Sequence, residues 1–489
     1  VQLRGRHLGL CPPALRASGS RLEPLIADYL DSRYARALSH WHGTTLLSLH
    51  VSAPALQPTP AAGDFAGRLM VDQVALPADP VASAYGAIVV QSRWEKAGPI
   101  ESAYHAVLRL SDERERTWVQ WDRQPLNGRR PFNVWEEGES HQELLALLID
   151  AGTPPGRYAL RLSVRGPDGA PLHLLDAGDS EPADELILGE VEVTRPEAPV
   201  RPASLPAEKM PPVQFGEGLR LLAYRLDERP FTPGENLALD LYWQCLRPLE
   251  DELVTFVQLL DDDEQLAAAA EVPPTAGFFP APLWQPGDVV RDPQSLRLPA
   301  SLPEGEYRLI VGLFRASTRE RLRVTAGDRG RGDYVELAQV AVAGRPHNFE
   351  PPQPAQAAQA RFGDVARLIG YDLEWRPAEG EAAGAVTLHW QALSETPISY
   401  KVFVHLYDAA GRRVGQHDSE PGLGSLPTTG WLTGEFIADS HPLRPESGTA
   451  EDVAEVWVGL YDPASGRRLP LLDDDGNTLG DHFTIALPR

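Results

Sequence analysis

Trp94, Trp243 and Trp390 each close an alternating apolar run, and they stand 149 and 147 residues apart. The same two offsets carry further segments. The strand-like phrases at 104–112, 253–261 and 400–408 end on Asp112, Asp261 and Asp408. A Trp-x-x-Gly-acid motif follows as Trp135-Gly138-Glu139, Trp284-Gly287-Asp288 and Trp431-Gly434-Glu435. "GRYALRLSV" at 156–164 matches "GEYRLIVGL" at 305–313, and "VGLFRASTRERL" at 311–322 matches "VGLYDPASGRRL" at 458–469. Self-similarity at a fixed period means that one structural unit is written three times.

Within each copy the apolar period is two. Leu237, Leu239, Leu241 and Trp243 alternate with Ala238, Asp240, Tyr242 and Gln244, and Val386, Leu388 and Trp390 alternate in the same way. Such alternation builds strands with one buried face. Turn-forming clusters such as "TPGEN", "DAAGR" and "LPEGE" separate them. Short strands of this kind predict a mainly β chain of three tandem immunoglobulin- or fibronectin-like antiparallel β-sandwiches, at 64–194, 215–344 and 362–489. Proline-rich stretches at 55–63, 195–214 and 345–361 are expected to be semi-rigid linkers. "HQELLALLID" at 141–150 fits either a short helix or another strand.

The first 54 residues differ. Ser20-x-x-Glu23 has the form of a capping box, and Leu22, Leu25, Ile26, Tyr29 and Leu30 follow at helical spacing. A helix over about 21–33 and a strand over about 44–52 are expected, as the tail of an α/β segment. The 46 prolines and 42 glycines agree with a loop-rich, short-strand chain. The net charge of −24 repels phosphate backbones and anionic lipid, which argues against nucleic-acid binding. Only Lys96, Lys209 and Lys401 are lysines, so the positive charge is nearly all arginine. Two cysteines, Cys11 and Cys245, make no disulfide framework. No apolar run reaches the roughly 18 residues that a membrane span needs. The chain opens on Val1, so membrane helices or an address signal are expected upstream.

The phrases "LLAYRLDERPFTPGENLALDLYWQ", "LWQPGDVVRD" and "LPEGEYRLIVGLF" resemble the repeated extracytoplasmic sandwiches at the C-terminus of large bacterial membrane glycosyltransferases, common in Chloroflexota-type genomes. Those enzymes are similar to the dolichyl-phosphate-mannose protein mannosyltransferase class. The resemblance covers most of the chain and includes 21–52, which looks like the end of the α/β segment after the membrane helices. It implies a cell-surface, extracytoplasmic location. It implies no catalytic residue here, because the catalytic acid of that class lies between early membrane helices.

The residues themselves offer few chemical candidates. There is no Gly-x-Ser-x-Gly elbow, zinc-binding His-Glu-x-x-His helix or phosphate loop. His40-Trp41-His42 would place two imidazoles on one side of a strand, half of a metal site. Asp473-Asp474-Asp475-Gly476-Asn477 has calcium-loop spacing, with Asp473, Asp475 and Asn477 as ligands, but lacks the bidentate Glu of such loops. Acids around Asp328 and Asp333, and at Asp176–Asp179, occupy the corresponding places, and a solvated hairpin tip is the plain alternative. Phe279, Trp284, Trp135 and Trp431 are candidate glycan contacts, since aromatic rings stack on sugars; a repeated Trp also fits a core anchor. Arg331-Gly332-Asp333 spells an adhesion tripeptide, read here as chance.

The expectation is a non-catalytic extracytoplasmic spacer and interaction region of a membrane glycosyltransferase, with envelope glycan or a surface protein as partner and no cofactor apart from the calcium candidate. Two rivals stand beside it. One is a structural surface-layer or filament protein. The other is a glycoside hydrolase whose carboxylates meet from separate loops, with copy one, the most divergent, as the place to look.

Overall fold

A computed structural model describes residues 2–3, 6–10, 26, 29–42, 45–100, 102–167, 169, 171–175, 183–326, 330–375, 384–445, 452–473 and 475–487. The chain is a row of three β-sandwiches. In the second, one sheet runs in the order Val289–Arg297, Asn236–Cys245, Leu219–Leu226, Glu208–Phe215, Val324–Ala326. The facing sheet runs Leu266–Val272, Leu253–Leu260, Gly305–Arg315, Tyr334–Val342, Gly330–Arg331. The third repeats this plan, with Phe436–Leu443, Gly384–Ala392, Ala366–Trp375 and Gln356–Phe362 opposite Arg413–Ser419, Lys401–Asp408, Val453–Tyr461 and Phe483–Ala486. The first repeats it with Ser140–Leu148, Ala87–Lys96 and Leu69–Pro77 opposite Thr117–Arg123, His105–Ser111, Gly156–Arg165 and Leu186–Thr194. The ambiguous segment at 141–150 is therefore a strand.

Each sandwich has its own apolar core. The strand-closing Trp94, Trp243 and Trp390 are fully buried between the sheets. Each packs against a phenylalanine at the same place, Phe65, Phe215 and Phe362, with ring centroids 6.1, 5.6 and 5.6 Å apart. The alternation read from the sequence is thus the inner face of these strands, where apolar burial supplies the main driving force.

The boundaries differ from those expected. Leu56–Thr59 pairs with Leu69–Pro77, so part of 55–63 belongs to the first sandwich. Glu208–Phe215 and Gln356–Phe362 are sheet strands, so the linkers shorten to 195–207 and 345–355. Pro211 and Pro212 misled the boundary: they sit where the register slips between Lys209 and Val213, a bulge that spares them a ladder hydrogen bond.

The N-terminal segment also departs from the expectation. Residues 26 and 29–31 are helical, but Arg6–Leu10, Thr45–Val51 and Ala35–His42 then form antiparallel strands. Ala35–His42 joins Ser140–Leu148 in parallel at Leu145–Arg36, extending the first sandwich's sheet. Asp31 fastens the segment through Arg36, His50 at 3.1 Å and Arg129 of the first sandwich at 2.8 Å. It is an annex to the first sheet. Among the described residues no helix is long and apolar enough to cross a membrane.

Candidate functional site

The repeated polar and aromatic residues were the candidates for chemistry, and the structure shows what each does. The strand-end aspartates hold hairpins. One carboxylate oxygen of Asp112 accepts from the N–H groups of Arg114 and Arg116 at 3.0 and 2.9 Å. Asp261 does so for Asp263 and Gln265, and Asp408 for Ala410 and Arg412, all within 3.0 Å. Asp with this local bonding is a turn residue.

The tryptophans of the Trp-x-x-Gly-acid motif face inward. The indole N–H groups of Trp135, Trp284 and Trp431 donate to the carbonyls of Arg130, Phe279 and Leu426, each at 2.9 Å. The three rings are only 3, 2 and 1% exposed, and Phe279 is 5% exposed. None of these four offers a ring face to a sugar, because each fills its own sandwich core. This replaces the glycan-contact expectation for Phe279, Trp284, Trp135 and Trp431.

The acid of the motif has a double task. It caps its own turn, Asp288 accepting from the Gln285 N–H at 2.8 Å and Glu435 from the Leu432 N–H at 3.0 Å. It also receives an arginine from the linker of the preceding repeat. Arg195 reaches Asp288 at 3.1 Å and the Leu283 carbonyl at 2.8 Å. Arg345 reaches Glu435 through both oxygens at 2.5 and 2.9 Å and the Gly430 carbonyl at 2.5 Å. Burial opposes ionisation of Glu435, yet bonds from Arg345, Leu432 and His347 hold its carboxyl below the usual range. In the first repeat Glu139 is instead met from its own sandwich by Arg130 and His141, at 2.7 and 2.6 Å.

A second acid recurs eight residues after the motif Trp, as Glu143, Asp292 and Asp439, in the middle of a sheet strand. All three are buried. Each accepts the backbone N–H of a residue with positive φ: Leu126 at 2.7 Å, Thr275 at 2.7 Å and Gly422 at 2.8 Å. Those residues and their successors, Asn127, Ala276 and Leu423, have φ between 46° and 63°. That region costs an ordinary side chain energy and persists where the surroundings enforce it. Asp292 adds Trp243, Thr255 and Gln294 at 3.1, 2.9 and 2.7 Å. Burial pushes its carboxyl upward, and pushes that of Glu143 up to about 7, with nearby Asp31 adding to the effect. Asp439 is bonded to His441 at 2.7 Å, and His441 meets His417 at 3.0 Å. Sequence reading missed this acid; a carboxylate at one fixed place in a buried alternating strand was the available signal.

The left-handed turn of the second repeat also meets the first. The carbonyls of Ala276 and Thr275 accept from Arg114 and Arg116 at 2.6 and 2.5 Å. Arg291 donates its backbone N–H to Gly152 at 2.8 Å and its side chain to the Trp118 carbonyl. Phe278 packs on Trp118 and Tyr158 at 5.8 and 5.3 Å between centroids. Ala151, Val200, Leu205, Leu222, Tyr242 and Val289 close an apolar cluster across this junction. At the second junction Arg297 donates to the carbonyls of Pro397 and Thr396, at 2.8 and 2.5 Å.

Asp473 accepts from the Asn477 backbone and side chain at 2.8 and 3.0 Å, and Asp475 is exposed, so the calcium loop is a self-bonded hairpin tip. Among the described residues no three His, Cys, Asp or Glu side chains are placed to hold a metal ion. Arg331-Gly332-Asp333 is a hairpin between Gly330–Arg331 and Tyr334–Val342, with Gly332 at φ 68° and Asp333 3.6 Å from Arg321. The backbone of His40-Trp41-His42 is strand, but its side chains, like Cys11, Asp328 and Asp176–Asp179, lie outside the described residues. Cys245 is a buried free thiol, pushed up to about 11 by burial.

No protein-family model matches the chain, and no curated protein matches it. Among solved structures it is similar to Escherichia coli alpha-2-macroglobulin. With the native conformation seen by cryo-electron microscopy the TM-score is 0.16 at 10% identity, covering 87% of this chain and 24% of that one. With the trypsin-activated crystal structure the TM-score is 0.16 at 9% identity, covering 92% and 26%. The chain thus spans about a quarter of those proteins, and a TM-score of that size carries no argument about this one.

Proposed function

We propose that the three sandwiches form a stiffened, non-catalytic, extracytoplasmic spacer and interaction module of a membrane glycosyltransferase of the class the sequence resembles. One observation carries the reading: the linker arginine of one repeat is clamped by the motif acid of the next, twice, as Arg195–Asp288 and Arg345–Glu435. Arg345 grips Glu435 with two guanidinium nitrogens, and Arg195 shares its Nε–H between both oxygens of Asp288 while a second nitrogen takes the Leu283 carbonyl. A tether that only joined beads would have no use for such part-buried, directional pairs, whose geometry fixes an angle. The repeated aromatic and acidic residues serve cores, turns and junctions, which is what a spacer asks of them.

Small-angle X-ray scattering tests the stiffness. The whole chain is expected to scatter as one extended rigid particle, and the Arg195→Ala, Arg345→Ala double variant to show a broadened distance distribution. Equal flexibility in both would contradict the reading. The assignment to a membrane enzyme is tested by the coding sequence upstream of Val1. Several apolar runs of about 20 residues support it, and a lone signal peptide contradicts it.

A further inference from the structure

We propose that the crevice between the first and second sandwiches binds a neutral, hydroxyl-rich chain, that is, an oligosaccharide. This gives the interaction half of the reading above a site and rests on that reading. The crevice measures about 770 Å³, within the range of small-ligand sites. Glu113, Arg157 and Glu190 of the first sandwich and Gln285 of the second line it. All four are exposed, and their side chains have no partner among the described residues. Nearby charged groups are paired: Arg195 with Asp288, and Arg161 with Glu115.

Two carboxylates accept hydrogen bonds from hydroxyl groups, while a guanidinium and a carboxamide donate to them. A sugar hydroxyl does both, so one ligand class satisfies all four. An anionic ligand would be repelled by Glu113 and Glu190, and a cationic one by Arg157. Half-buried Phe278 and Leu283, 57% exposed, supply apolar surface for the C–H face of a ring. The second junction lacks this set, since Ser425 and Gly430 stand in place of Phe278 and Leu283. The site therefore belongs to the first junction alone and lies beside the repeated motif.

Isothermal titration of the whole chain with cellohexaose, maltohexaose, mannohexaose and chitohexaose tests this, with tetralysine as the peptide probe. Saturable binding of at least one hexasaccharide is expected, weakened about tenfold or more by Glu190→Gln and by Arg157→Ala, the loss of roughly one charged hydrogen bond. The control Asp475→Asn should leave it unchanged. No hexasaccharide binding, binding indifferent to both variants, or binding of tetralysine alone would each overturn the proposal. Scattering from the same samples separates the failures. A rigid particle that binds nothing rejects the site alone, whereas a flexible one rejects the spacer reading as well.

Discussion

Asp292 concentrates the fold's demands on one carboxylate. It accepts four hydrogen bonds at 2.7–3.1 Å while fully buried, and one of them holds Thr275 in its left-handed turn. Asp292→Ala strands those donors, and the expected loss is about 3–5 kcal/mol in the urea unfolding of the second sandwich. Glu143 and His417 give opposite pH responses. Folded Glu143 keeps its proton up to about pH 7, against an ordinary value of 4.5. The first sandwich therefore gains stability as pH falls from about 7 toward 4.5 and loses it on the way back. The span is roughly 3 kcal/mol, and Glu143→Gln should abolish it. Burial and then His441 hold His417 below its ordinary 6.5, so the third sandwich loses stability as pH falls through that value. Hydrogen exchange resolved by sandwich at pH 5 and 8 checks both signs; a uniform shift in all three would contradict them. The sequence showed Trp94, Trp243 and Trp390 as strand-closing anchors, but not Asp292 or Glu143. A lone acid among polar alternates looks solvated until the fold closes over it.

Elements repeat more faithfully than their sequences do. The left-handed turn occurs at 126–127, 275–276 and 422–423, each time between a proline and a glycine of positive φ: Pro125 and Gly128, Pro274 and Gly277, Pro421 and Gly424. The Pro-x-x-Gly frame of these turns is local and repeated, but the buried carboxylate that takes the Leu126 or Thr275 N–H and lets ordinary side chains keep that conformation lies many residues away. Strands were legible for the opposite reason, since period two is local. The N-terminal strands were half legible: 44–52 was read as a strand, but its pairing onto the first sheet depends on the partner edge at Ser140–Leu148. At the second junction Gly234 has φ 83°, and a Cβ there would lie 2.3 Å from the Thr429 carbonyl oxygen. Gly234→Ala is expected to leave each sandwich folded while forcing the second and third apart. Unchanged exchange protection at Thr429 and Gly430 would count against that close contact.

At the scale of the whole molecule, the proline-rich linkers suggested beads held at partly restrained angles, and the structure adds the restraint. Each junction combines a charged clamp with backbone acceptors for arginines of the neighbouring unit, Arg114, Arg116 and Arg291 at the first and Arg297 at the second. An arginine-rich, lysine-poor chain suits this, because a planar guanidinium spans carboxylate and carbonyl at once. The central claim is that the three sandwiches move as one body. Double electron–electron resonance between labels at Gln120→Cys in the first and Gln416→Cys in the third tests it most directly, in a Cys11→Ser background. Cys245 is buried, with its thiol pushed up to about 11, and should escape labelling. One narrow distance peak that broadens on Arg195→Ala and Arg345→Ala is predicted. A broad distribution in the unmodified junctions would contradict the account.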